Sequence, residues 1–459
     1  MTRSPQLLRW LDDIPLLSKY GLYRWLMFVA VGLALAMALL SATDKQVHHD
    51  EYDHINAARF YFEHWLPPGV GDMRARDAYS LYGRSYLDEW DIVYPLAGKF
   101  AKLISPAVSN DAIALRLFNV GLFFVLACIA FVRRDDILAF ALLLTSPQIW
   151  YVFSYFNGDA FPMFVSFLVA LALTSPRSLF NAHTRSAFVR YLPLGICLGL
   201  LLLSKKTFWA FGLFAICCAA WREFVEYRHA RTMGAFFQRS GILAAIILMT
   251  ALPRIGYDLF LNGAPAAKAA RIAETAEATA TPYFKPSANL NINLSLKRKG
   301  VTIVQMMKPS YRWAEVSAIS AFGYYNYNTV RMGPSYYRLM FGTYAFLLIY
   351  LVIAVSARGK ISDRILVVGG YLFCFLVIGL SLYHSWVNDY QPQGRYLFGI
   401  FSILAVVLAR SKRMLDPAVI NLVLLLCFFA SVYSFCAAGL GDIPRFMDIA
   451  EMNIHFRRQ

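Results

Sequence analysis

The sequence predicts an all-α integral membrane protein with about eleven transmembrane helices, and three observations carry that prediction. Hydrophobic residues make up 58% of the 459 and charged residues only 16%, where a soluble domain carries roughly 25% charged residues. Mean hydropathy is +0.49. The apolar residues fall in long unbroken runs, the signature of segments that cross a bilayer.

The runs are 23–42, 112–132, 136–155, 160–174, 191–204, 207–221, 240–260, 338–356, 365–383, 395–410 and 418–438. Residues 1–22 form a basic, mildly amphipathic tail. The run that starts near Tyr23 has no cleavage signal after it and reads as a helix that stays. Lys and Arg mark the cytoplasmic side of a membrane protein. With the N-terminus inside, the short basic loops at 133–134, 177–190, 222–239, 358–364 and 410–413 all fall on that side. This reading requires 191–221 to be two short helices broken at Ser204-Lys205-Lys206, with both lysines at the outer face. One long helix would send every later basic loop outside.

Two long segments then share the outer side. Segment 43–111 holds a predicted amphipathic helix from Glu51 to Trp65, ended by Pro67-Pro68-Gly69, and a second from Glu89 to Leu103. Trp65, Trp90, Tyr94 and Phe100 suit the headgroup zone. Segment 262–337 is rich in Tyr. The chain divides into a membrane-embedded catalytic module over 1–261, the Tyr-rich outer loop over 262–337, and C-terminal helices with a short tail over 338–459. The reading places it in a bacterial inner membrane, multi-pass.

Composition excludes several classes. The net charge of +16 fits the positive-inside rule and attraction to anionic lipid. No basic stripe on a soluble module points to nucleic acid. Cys128, Cys197, Cys217, Cys218, Cys374, Cys427 and Cys436 lie in or beside apolar runs, so they suggest neither a disulfide framework nor a zinc knuckle.

The densest polar cluster is His48-His49-Asp50-Glu51-Tyr52-Asp53-His54, directly after the first run. A solvated loop accounts for a charge run. Carboxylates at the membrane surface also have their pKa values raised by desolvation and like charge, and one poised there can take a proton from a sugar hydroxyl. The same imidazoles and carboxylates are acceptable ligands for a divalent metal, but no helical His-x-x-x-His pair is present. No nucleotide is required, and a divalent metal is the one cofactor these ligand types allow. Asp88-Glu89-Trp90-Asp91 reads either as acids at a helix N-terminus or as part of a site through Glu89 and Asp91. Asp159, in Asn157-Gly158-Asp159, is either an N-cap or a site carboxylate. Lys205, Lys206 and Arg395 either snorkel to headgroups or clamp a phosphate.

On these residues the chain resembles the GT-C superfamily of membrane glycosyltransferases, such as protein O-mannosyltransferases, GPI mannosyltransferases and aminoarabinose lipid A transferases. His49-Asp50-Glu51-Tyr52 is similar to the His-Pro-Asp-Glu motif after the first helix, with His49 where proline is common. Gly199-Leu200-Leu201-Leu202-Leu203-Ser204-Lys205 is similar to an apolar run ending in Ser/Thr-Lys. Gln393-Gly394-Arg395-Tyr396-Leu397-Phe398 resembles a motif of related bacterial membrane proteins. The resemblance implies a GT-C-like fold and a polyprenyl-phosphate-linked sugar donor. It implies Asp50 as catalytic base with Glu51 in support, and Lys205, Lys206 and Arg395 at the donor phosphate. His49, Asp53, Glu89, Asp91, Asp159, Gln393 and Tyr396 are further site candidates. The absence of a large C-terminal soluble domain favours a lipid or envelope-glycan acceptor over a peptide. The alternatives are an O-antigen-type polymerase or ligase, and a lipid or glycan transporter (flippase). A transporter keeps its ionisable residues at mid-membrane, so the depth of Asp50 separates the classes.

Overall fold

The computed structural model describes residues 21–182, 185–230, 233–288, 295–446 and 448. The amphipathic tail predicted for 1–22 lies almost wholly outside them. Among the described residues, nine helices are long and apolar enough to cross a membrane. The long elements are α1 (Tyr23–Leu40), α4 (Asp111–Val132), α6 (Ala160–Thr174), α8 (Trp209–Ala230), α9 (Met233–Asn262), α13 (Pro334–Arg358), α14 (Ile361–Val387), α15 (Gly399–Ser411) and α16 (Pro417–Ser434). The short α7 (Ala187–Leu202) joins them. The first outer loop contains α2 (Glu51–Glu63) and α3 (Val93–Ile104). The second contains α10 (Pro265–Thr279), α11 (Ile303–Met306), α12 (Trp313–Ser320) and a hairpin pairing β1 (Tyr324–Tyr325) with β2 (Val330–Arg331).

The predicted count of eleven spanning helices therefore changes in two places. The run at 191–204 is the short α7, whose sixteen residues rise about 24 Å, less than a ~30 Å hydrocarbon core. The run at 136–155 is not one helix. It folds as 3-10 turns over Arg134–Ala139 and Ala141–Leu144, then α5 (Pro147–Ser154). Pro147 holds Ser146 extended, at φ −141° and ψ 121°, which stops the helix from continuing upstream. Irregular backbone is tolerated at membrane depth only where protein surrounds it, and 136–155 is buried throughout.

The break at 204–206 exists. α7 ends at Leu202, and α8 starts at Trp209 after a 3-10 turn. The Ile92 N–H donates to Leu203 O at 3.0 Å, pinning the break to the first outer loop. α7 packs closely on α9 through Gly195 and Gly199, a small-x-x-x-small pair. A Cβ at Gly195 would stand 2.6 Å from Ile246 Cγ2, and one at Gly199 2.5 Å from Thr250 Cβ.

The bundle has two chemically distinct ends. At one, Arg24 donates to Phe131 O, Lys412 to Asp135 O and Arg358 to Met414 O. The other gathers Asp50, Asp159, Lys205 and Arg395. Reporter fusions after Pro68 and after Gly300 are expected to give the same, non-cytoplasmic signal. Opposite signals from the two would overturn the assignment of sides.

Candidate active site

The site is assembled by the return of the chain after α1. The last turn of α1 leaves carbonyls without helical partners, and Arg116 of α4 takes them up. Its Nη1 donates to Ala38 O and Ser41 O, and its Nη2 to Ala42 O. The same guanidinium clasps Glu51 with two bonds, of 2.8 and 2.6 Å. Glu51 Oε1 also accepts from the Phe156 N–H at 2.9 Å. Burial pushes the Glu51 carboxyl up in pKa, but the Arg116 charge and hydrogen bonds outweigh it and hold Glu51 below the usual range. This buried pair fixes α2 and the 156–159 turn to the end of the bundle.

Asp50 precedes Glu51 with φ at +56°. Asp is among the few non-glycine residues that enter this left-handed region readily. Its N–H donates to the Tyr327 hydroxyl at 3.3 Å, and Asn326, whose side chain donates to Val47 O at 2.6 Å, brings the tyrosine hairpin over the loop. The carboxylate of Asp50 points back over the bundle end, with its side chain 36% exposed.

Four charged groups meet there. Arg395 Nη2 lies 3.1 Å from Asp50 Oδ2, and its Nη1 lies 3.8 Å from Asp159 Oδ2. Lys205 Nζ reaches the same Asp159 oxygen at 2.9 Å. Arg395 and Asp159 are buried, at 3% and 0% exposure, so Asp50 forms the mouth of the cluster. Nε and Nη1 of Arg395 and Oδ1 of Asp159 have no hydrogen-bond partner. Burial raises the pKa of Asp50, yet the charge and hydrogen bond of Arg395, with Lys205 adding, bring it below its ordinary value. It is a carboxylate at neutral pH.

Two glycines make the approach possible. A Cβ on Gly158 would sit 2.9 Å from Lys205 Cε, and one on Gly394 would sit 2.1 Å from Ala321 N. The Gly394 N–H donates to Ser320 Oγ, seating Arg395 against the end of α12. The Tyr396 hydroxyl donates to Gln391 Oε1 and accepts from Arg395 Nη2 at 3.4 Å. Gln393 Oε1 is buried without a hydrogen-bond partner.

The imidazoles go to separate places. His48 Nδ1 meets the Tyr151 hydroxyl at 2.7 Å and its ring stacks on Tyr155. His54 Nδ1 meets the Tyr94 hydroxyl at 2.8 Å and its ring stacks on Tyr86 at 3.9 Å. Burial lowers His48 to about 3 and His49 to about 4, so both are neutral. Among the described residues no three of His, Cys, Asp and Glu gather as metal ligands.

The structure thus brings together Asp50, Asp159, Lys205 and Arg395, with His49, Gln393 and Tyr396 around them. Lys206 does not join: it pairs with Glu89 at 3.0 Å, and both are more than half exposed. Asp159 precedes α6 but makes no side-chain cap, because Lys205 takes its carboxylate. The acids at 88–91 do not start a helix, since α3 begins at Val93. Tyr94 does not face lipid headgroups; it is 1% exposed, packed on His54. Arg116 and Tyr155 were not singled out by sequence. Arg116 carried a signal, being a lone charge in the apolar run 112–132.

Asp53 and Asp91 stand near the cluster. Burial first, then the Asp50 charge, raises Asp53 to about 6. Burial raises Asp91 to about 7 despite Lys205, with Glu89 and Asp159 adding to the rise. A group whose folded pKa is raised holds its proton longer when folded, so stability falls as pH rises from about 4 through 7. Asp91→Asn removes that loss. The variant is expected to melt above wild type at pH 8 in detergent, with the gap narrowing as pH falls towards 4; a gap that does not change with pH would contradict this.

The crystal structure of ArnT from Cupriavidus metallidurans in the apo state is similar, with a TM-score of 0.42 and 14% identity, over 85% of this chain and 60% of that one. The chain therefore spans about 60% of that protein's length. No curated protein matches. Residues 73–431 match the model of a family described as predicted membrane protein, DUF2142. That match takes in α3 to α15 and Asp159, Lys205 and Arg395 of the cluster, and the chain, a multi-pass membrane protein by its own helices, belongs to the DUF2142 family.

Proposed function

We propose that this protein is an inverting membrane glycosyltransferase. It moves one sugar from a polyprenyl-phosphate donor to a lipid or envelope-glycan acceptor at the non-cytoplasmic face. The observation that carries the reading is the meeting of Asp50, Arg395, Asp159 and Lys205 at one end of the bundle. Such a transfer needs a carboxylate that takes the proton of the attacking hydroxyl and cations that stabilise the departing phosphate. Asp50 is ionised and open to the surface, so it serves as the base. Arg395 supplies the phosphate contact through its guanidinium, whose Nε and Nη1 make no hydrogen bond in the protein. Asp159 holds Lys205 and Arg395 in place, and Glu51 acts through Arg116 and the loop.

A transporter reading is less favoured by the position of Asp50, which lies ten residues beyond the end of α1 and is partly exposed. A polymerase or ligase acting on a diphosphate-linked glycan uses similar charges, so the donor has to be tested directly.

The test is binding of synthetic polyprenyl-phosphate sugars to the purified protein in detergent. Arg395→Lys keeps the charge but loses the planar fork. It is expected to weaken binding by about ten- to a hundredfold, the value of one or two charge-assisted hydrogen bonds. Unchanged affinity in both Arg395→Lys and Lys205→Ala would overturn the phosphate assignment. Tighter binding of polyprenyl diphosphate glycans would favour the polymerase or ligase.

A further inference from the structure

A second cluster of buried charge lies at the opposite end of the bundle, where α7, α8 and α9 meet. Arg190 of α7 stands 3.7 Å from both Glu223 and Glu226 of α8. Arg222 reaches Glu226 at 3.2 Å. Arg239 of α9 reaches Glu223 at 3.2 Å and Glu226 at 2.8 Å. Arg190 and Glu223 are each 3% exposed. Three arginines face two glutamates, leaving one net positive charge.

A cavity of about 280 Å³ opens beside this cluster. Tyr191, Glu223 and Arg239 line its charged end. Ile216, Leu243, Ala244 and Leu248 line the rest, successively further along α8 and α9 towards the middle of the bundle. The cavity is therefore amphipathic along the helix axis. Ile216 and Leu248 are 39% and 48% exposed, and α9 is the least buried of the spanning helices, so the opening faces the lipid. At the charged end, Glu223 Oε1 is buried 3.7 Å from Arg190 with no closer hydrogen bond to it. Arg239 uses Nη1 alone for both glutamates, and its side chain is 32% exposed.

The geometry points to a lipid site: one acyl chain of an anionic membrane phospholipid lies between α8 and α9, with its headgroup phosphate on Arg239. The apolar wall fits a hydrocarbon chain, and the guanidinium with one net positive charge fits a phosphate. The short basic loops share this end of the protein, and anionic lipid concentrates in the cytoplasmic leaflet. This site is separate from the Asp50 cluster and does not depend on the reading given to that cluster.

The test is native mass spectrometry of the full chain released from bilayers of phosphatidylcholine and phosphatidylglycerol. Wild type is expected to retain one phosphatidylglycerol in preference to phosphatidylcholine. Arg239→Gln, at a partly exposed position, is expected to keep the fold and lose that preference by about tenfold. Ala244→Trp fills the cavity and is expected to lose the retained lipid altogether. Retention of phosphatidylglycerol by Ala244→Trp at the wild-type level overturns the proposal. So does equal retention of the two lipids by wild type, or an unchanged preference in Arg239→Gln.

Discussion

Asp50→Asn is expected to lower turnover by roughly 10²–10⁴-fold, the usual contribution of a general base, with little change in donor affinity. Asparagine is nearly the same size and suits the left-handed backbone at φ +56° as well as aspartate does. It cannot accept a proton at neutral pH. In the proposed transfer the base touches the acceptor while Arg395 and Lys205 face the phosphate, so the loss would fall on the chemical step. Asp53→Asn and Asp91→Asn serve as comparisons, because both acids carry raised pKa values close to the cluster. Single-turnover transfer by purified variants, matched for folding, makes the measurement. An Asp50→Asn enzyme within about threefold of wild type would remove Asp50 from the role, and a larger loss at Asp53 or Asp91 would move the base there.

Arg116→Met is expected to act on stability instead, at a cost of about 3–5 kcal/mol, the penalty for breaking a buried ion pair by removing one partner. Arg116 and Glu51 are 1% and 3% exposed. Methionine leaves the Glu51 carboxylate buried with only the Phe156 N–H and frees the three carbonyls at the end of α1. Replacing both partners by apolar residues is expected to recover part of the loss, since no lone buried charge then remains. Thermal unfolding in detergent reads the effect. A melting temperature unchanged by Arg116→Met would mean that the pair does not hold the loop. Asp50→Asn, by contrast, keeps an oxygen acceptor for Arg395 and leaves Asp159 as its counter-ion, so it is expected to lower the melting temperature less than Arg116→Met does.

The contrast between these adjacent acids shows where sequence reading stops. The runs of apolar residues revealed the spanning helices, because bilayer thickness imposes length and composition on each. The break at Lys205-Lys206 was legible from the sidedness of the basic loops alone. The segment 136–155 was not, because a broken chain buried among other helices is as apolar as a helix in lipid. Within the site, the sequence singled out Asp50, Asp159, Lys205 and Arg395 separately. Their meeting depends on the turn at Gly158 and the contact at Gly394, neither of which has a periodic signature. Glu51 and Lys206 are adjacent to site residues in sequence and diverge from them in space. One turns into the protein towards Arg116, and the other turns out to Glu89.

The most direct test of the proposed transfer is mass spectrometry of lipid-linked sugars and envelope glycans from a strain lacking the protein, complemented with wild type or with Asp50→Asn. The account predicts that the deletion and the Asp50→Asn strains lack one monosaccharide on a lipid or envelope glycan. It predicts that both accumulate the matching polyprenyl-monophosphate sugar, and that wild type restores the glycan and clears the donor. Unchanged glycans in the deletion strain, or accumulation of a diphosphate-linked oligosaccharide in place of a monophosphate sugar, would contradict it.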